Sequence, residues 1–108
     1  MAQKVTAGRD TLGQFAPTFA RLNDDVLFGD VWSREEELSP KIRSIVTVTA
    51  LMSSGVLDSS LGHHIRLAKT NGVSAEEMAE VLTHAAFYAG WPKAWAAFRM
   101  AKEAYEED

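Results

Sequence analysis

The chain has 108 residues, 46% of them hydrophobic and 24% charged, and it contains no cysteine. Eleven basic against fifteen acidic residues give a net charge of −4, which offers no cationic footprint for nucleic acid or for an anionic membrane. The missing cysteines exclude disulfides, thiolate nucleophiles and Cys-based metal centres. No apolar run approaches the length of a membrane span and the first residues read as no secretory signal, so a cytoplasmic protein is expected.

In chain order, residues 1–10 are polar and aperiodic and are expected to fray as a flexible N-terminal segment. Residues 11–105 read as one helical domain. Leu12, Phe15, Phe19, Leu22, Val26 and Leu27 recur at helical spacing. Pro17 opens a short second helix after Ala16, and Gly29 marks the next bend. Ser39-Pro40 is the clearest helix start. The following Ile45-Val46-Thr47-Val48-Thr49 has strand propensity, yet the apolar period running from Ile42 to Met52 predicts a helix ended by Gly55. A helix is predicted over Ser59–Thr70, stopped by Asn71-Gly72. Ser74-Ala75-Glu76-Glu77 matches a capping box that opens an amphipathic helix ending at Gly90. Pro92 starts the last helix, whose inner face is Ala94, Ala97, Phe98 and Ala101. Its acidic end, Glu103 to Asp108, puts negative charge at the wrong pole of the helix dipole and is expected to fray. The fold class is all-α, with about five to six helices packed into a compact domain.

Three histidines carry the chemical interest. On the Ser59–Thr70 helix, His64 faces the packed side with Leu61, Ile65 and Ala68, and His63 lies toward the rim. An inward imidazole beside a cleft is the best general acid or base in the chain; the alternative is a hydrogen-bonded core histidine. Glu80, His84 and Tyr88 share a second stripe at four-residue steps, either as a solvated face or as a polar cavity wall in which Glu77 or Glu80 orients an imidazole. Arg34, Arg43 and Arg66 are candidate anion binders. No His-x-x-x-His or His-Glu-x-x-His spacing occurs, so no metal is expected. Trp32, Trp91 and Trp95 are many for so small a chain; they either fill the core or form apolar surface covered by another subunit, the reading preferred here.

Three ordered pieces go beyond helix patterning. They are Phe28-Gly29-Asp30-Val31-Trp32-Ser33-Arg34 with Leu38 and Arg43-Ser44; His64 with Asn71-Gly72-Val73, Glu76-Glu77 and Glu80-Val81-Leu82; and Tyr88-Ala89-Gly90-Trp91-Pro92 leading to Ala96-Ala97-Phe98. From Leu27 to Ala104 the chain resembles the carboxymuconolactone decarboxylase family, in the fold group that includes the alkylhydroperoxidase D-like proteins. The resemblance implies a helical subunit in a homo-oligomer, a trimer or homohexamer. The peroxidase-like branch carries a Cys-x-x-Cys pair before its histidine; Leu57 and Ser60 stand there, which excludes thiol peroxidase chemistry. The resemblance therefore implies decarboxylation of 4-carboxymuconolactone or a related carboxylated lactone in aromatic-compound catabolism, without a cofactor; the alternatives are a family member acting on another small organic acid and a non-catalytic oligomeric protein that binds a small ligand. It implies that His64 transfers the proton and that Arg43 holds the substrate carboxylate with Arg34 in reserve. By the same resemblance Glu80 and His84 are expected to orient water or the lactone, and Trp32, Tyr88 and Trp91 to shape a partly dry pocket.

Overall fold

The computed structural model describes residues 4–107, and every element among them is helical. They form two compact units divided between Ser39 and Pro40.

The first unit contains α1 (Ala7–Leu12), α2 (Pro17–Arg21) and a π-helical segment, Leu22–Val31, that continues from α2. Pro17 occupies the first turn of α2, where a missing N–H costs nothing. The expected bend at Gly29 does not occur. Gly29 lies inside the π-helical segment, where an added Cβ would stand 3.1 Å from the Asp24 carbonyl oxygen. The segment ends at Trp32, whose N–H bonds to the Leu27 carbonyl five residues back.

Part of the N-terminal stretch expected to fray forms α1 instead; residues 1–3 lie outside the described residues. No side chain of its own caps α1. Asp24, buried in the π-helical segment, does so from a distance: its carboxylate accepts the Gly8 N–H at 2.8 Å and the Arg9 N–H at 3.0 Å. These are two of the donors that a helix start leaves unsatisfied. Asn23 Nδ2 donates to the same carboxylate at 3.0 Å, and the Arg9 guanidinium bridges to Asp25 at 2.8 Å. Burial pushes the proton affinity of Asp24 up, but these hydrogen bonds and the Arg9 charge outweigh it and hold the carboxyl below its usual range. No sequence period connects residues sixteen apart, so this tie was invisible before folding.

The second unit is a bundle of α3 (Pro40–Ser53), α4 (Ser59–Thr70), α5 (Ala75–Ala89) and α6 (Trp91–Glu106). Helix α3 packs on α4 and α5, while α6 packs on α4 and α5. Burial decides against strand propensity in α3: Ser44, Val48 and Met52, four residues apart, are its buried stripe. The Ser74 hydroxyl accepts the Glu77 N–H and the Glu77 carboxylate accepts the Ser74 N–H, which completes the capping box. Gly55, Gly72 and Gly90 follow α3, α4 and α5 with φ of 86°, 100° and 114°, where a side chain would be strained.

Leu61, Ile65, Met78 and Leu82 are fully buried large side chains, and α6 contributes Ala94, Ala97, Ala101 and Ala104. Four alanines let the neighbouring helices approach α6 closely. The expected fraying at the acidic end is overturned, since α6 stays helical to Glu106. Lys69 Nζ on α4 donates to the Ala104 and Glu107 carbonyls at 3.0 and 2.7 Å, and Arg66 bonds the Glu107 carboxylate at 2.8 Å. Cations from α4 thus supply what the local sequence lacks at that pole of the dipole. Tyr105 Oη adds a 2.7 Å bond to the Val73 carbonyl.

Candidate functional site

His64 sits one and a half turns into α4, whose start is fixed by Asp58: its carboxylate accepts the Ser60 N–H at 2.9 Å. Leu61, Ile65 and Ala68 bury completely and draw His64 halfway in, while His63 stays exposed. One turn beyond Leu67, Asn71 donates to Ser44 Oγ of α3 at 2.9 Å and anchors this end of α4. The imidazole Nδ1 of His64 is enclosed and has no hydrogen-bond partner among the described residues. The two imidazoles meet edge to face with centroids 5.1 Å apart. Burial, and then the neighbouring His63, lowers the proton affinity of His64, so the resting ring is neutral at neutral pH.

The second stripe lines a groove between α3 and α5 of about 630 Å³. Ile45, Val81 and Ala85 make its apolar floor; Thr49, Ser53, Glu80, His84 and Tyr88 make its polar rim. The His84 and Tyr88 rings lie 5.2 Å apart. The stripe borders this open groove, and Glu80, His84 and Tyr88 are themselves exposed. Glu77 is not its orienting carboxylate, because that group caps α5 and pairs with Lys41 at 2.8 Å, which together hold it below its usual range. As groove-lining residues Ile45, Thr49 and Ser53 were missed: the sequence places Ile45 and Thr49 only within the apolar period of α3. Their only signal was spacing by four, with hydroxyls inside an otherwise apolar helix.

The structure brings Glu80, His84 and Tyr88 together; the other candidates of the second unit do not line that groove. Among the described residues neither His64 nor Arg43 lines it. Arg43 is half-buried on α3, two positions (about 200°) round the helix from Ile45. Trp91 packs edge to face on Phe87 and lines a separate apolar cleft with Trp95. Trp32 and Arg34 belong to the first unit, where Trp32 stacks on Phe28 at 6.2 Å and Arg34 sits in the turn after it. Arg66 is engaged with Glu107 and Glu103. Among the described residues no three His, Asp or Glu side chains gather as a metal-binding group, and no helix is long and apolar enough to cross a membrane.

The second unit is thus a helical bundle that carries an enclosed imidazole nitrogen and, apart from it, an open, mostly apolar groove with a few polar side chains at its edge. The carboxymuconolactone decarboxylase family model matches residues 17–103, beginning about ten residues before the stretch that the motifs cover. Over 103 residues the chain is 34% identical to the 4-carboxymuconolactone decarboxylase of Acinetobacter baylyi, an alignment covering 95% of this chain and 75% of that protein. The chain belongs to the carboxymuconolactone decarboxylase family.

Proposed function

We propose that the protein is a carboxy-lyase that removes carbon dioxide from 4-carboxymuconolactone, or from a closely related carboxylated lactone, without a cofactor. The carrying observation is His64: a neutral imidazole with an enclosed, unsatisfied nitrogen, in a chain that is 34% identical to a decarboxylase of that name.

The reaction exchanges a carboxylate for a proton. The C–C bond to the carboxylate breaks, carbon dioxide leaves, and the electron pair enters the unsaturated lactone as a dienolate. A proton then adds to ring carbon, so each turnover consumes one. A neutral imidazole in a partly dry site suits this sequence. A substrate carboxylate bound beside it favours the imidazolium, and that acid can deliver its proton once the dienolate forms. Arg43 is assigned to the non-reacting carboxylate, which a guanidinium fork can hold in two parallel hydrogen bonds. Loss of the reacting carboxylate is easier where water is scarce.

The α3–α5 groove favours a second reading, a small-ligand binding protein, because Glu80, His84 and Tyr88 line a cavity that His64 does not. Carbon dioxide release and ultraviolet loss of freshly generated 4-carboxymuconolactone separate the two. Wild-type protein turns the substrate over, and His64→Ala, with unchanged helical content, loses at least about a hundredfold. No turnover by folded wild type refutes the substrate; equal turnover by the variant removes His64 from the chemistry.

A further inference from the structure

The α3–α5 groove carries chemistry that the reaction proposed above does not use. Its floor of Ile45, Val81 and Ala85 suits an apolar body, and its volume of about 630 Å³ is that of a small-molecule site. Glu80 is the single carboxylate of the lining, to which no Lys or Arg contributes. Among the described residues that carboxylate has no hydrogen bond or ion pair. Lys41, in the first turn of α3, pairs with Glu77 in the first turn of α5 at 2.8 Å. The two helices therefore run side by side in the same direction, with Glu80 toward one end of the groove and Ser53 and Tyr88 at the other. Lys93 reaches that far end, where its Nζ is engaged by the Ser53 carbonyl at 3.2 Å.

We propose that this groove binds a small organic ammonium ion, an arylalkyl amine, with its nitrogen at Glu80 and its ring against Tyr88. Charge complementarity selects the cation: an unpartnered carboxylate at the edge of an apolar floor attracts an ammonium group, and the net charge of −4 adds to that attraction. The aromatic end selects the body. Tyr88 is 84% exposed and its ring lies 5.2 Å from that of His84, which makes a wall on which a further ring can lie. Eight residues separate Glu80 from Tyr88, about 12 Å along the helix, so a ring and a nitrogen joined by a short alkyl chain span the site. A dicarboxylate such as the lactone meets like charge at Glu80, which sets this groove apart from the chemistry assigned to His64 and Arg43. A metal ion is the poorer occupant, because no three His, Asp or Glu side chains gather among the described residues. The inference is independent of the decarboxylation.

The test titrates the full chain with 4-phenylbutylamine at low salt and about pH 8, where the amine is charged. Amide nitrogen–proton spectra report both affinity and location. The acid of matching length, 4-phenylbutyrate, is titrated in parallel. The amine is expected to shift the amides of Thr49, Ser53, Val81 and His84, and the acid to bind at least about tenfold more weakly. Glu80→Gln should weaken the amine about fivefold, the scale of a solvent-exposed charge pair. Tyr88→Leu should weaken it about threefold through the lost ring contact. Both substitutions are at exposed positions, and circular dichroism checks that the helices persist. Absent shifts, or shifts that map outside the groove, overturn the inference. The same follows if the acid binds as well as the amine, or if either folded variant binds the amine as tightly as wild type.

Discussion

Gly8→Ala tests whether the distant cap on α1 governs that helix. Inside a helix, replacing glycine by alanine ordinarily gains about 1 kcal/mol from backbone entropy. Here a Cβ would stand 2.8 Å from the Ala20 carbonyl oxygen, 2.8 Å from Asp24 Oδ1 and 3.1 Å from Ala20 Cα. Two of these contacts are backbone of α2 and the third is the capping carboxylate, so none can yield as a flexible side-chain end would. Overpacking of this kind costs about 1–3 kcal/mol. The clash therefore matches or exceeds the propensity gain, with a net loss of up to about 2 kcal/mol, or about thirtyfold in the local opening equilibrium. Amide hydrogen exchange at Arg9, whose N–H donates to Asp24, reads this directly and should quicken in the variant. Gly62→Ala is the control. There the nearest atoms are the Arg66 guanidinium end at 3.3 Å and Met100 Sδ at 3.9 Å, so the propensity gain should survive as a stabilisation of up to about 1 kcal/mol. Slower exchange at Arg9 in Gly8→Ala would refute the capping argument.

Leu82→Ala, which empties a fully buried position of α5, should cost about 2–5 kcal/mol, measured by urea denaturation; a smaller loss would mean that the bundle collapses onto the cavity. Because native His64 binds its proton more weakly than the unfolded chain does, its contribution to stability is complete above the ordinary imidazole value. That contribution falls as pH drops from about 7 toward 5. Denaturation midpoints of wild type and His64→Gln should converge over that interval, and parallel curves would rule out the depressed proton affinity. Arg43→Lys should raise KM more than it lowers kcat, since an ammonium cannot reproduce the planar fork; an unchanged KM would release Arg43 from substrate binding.

Local chemistry was legible wherever one short segment held the whole cause. The Ser59–Thr70 helix, the capping box at Ser74, the proline that opens α2 and the stops at Gly55, Gly72 and Gly90 follow from residues within a turn of one another. The same holds for His64 facing inward and His63 outward, which helix period alone dictates. Family motifs carried the reading further, to a named class of proteins, and they too are local strings.

Tertiary structure decided what depends on residues far apart in sequence. The sequence assigned no helix to α1, because its cap arrives from Asp24, sixteen residues away. The acidic end of α6 reads as unfavourable until Lys69 and Arg66 approach from another helix. Glu80, His84 and Tyr88 form an ambiguous stripe until Ile45, Thr49 and Ser53 of α3 turn it into the wall of a groove. Whether the nitrogen of His64 finds a partner is likewise set by packing against other helices. Sequence period determines which face a side chain occupies; only the fold determines what stands opposite that face, and the chemistry of a site depends on both.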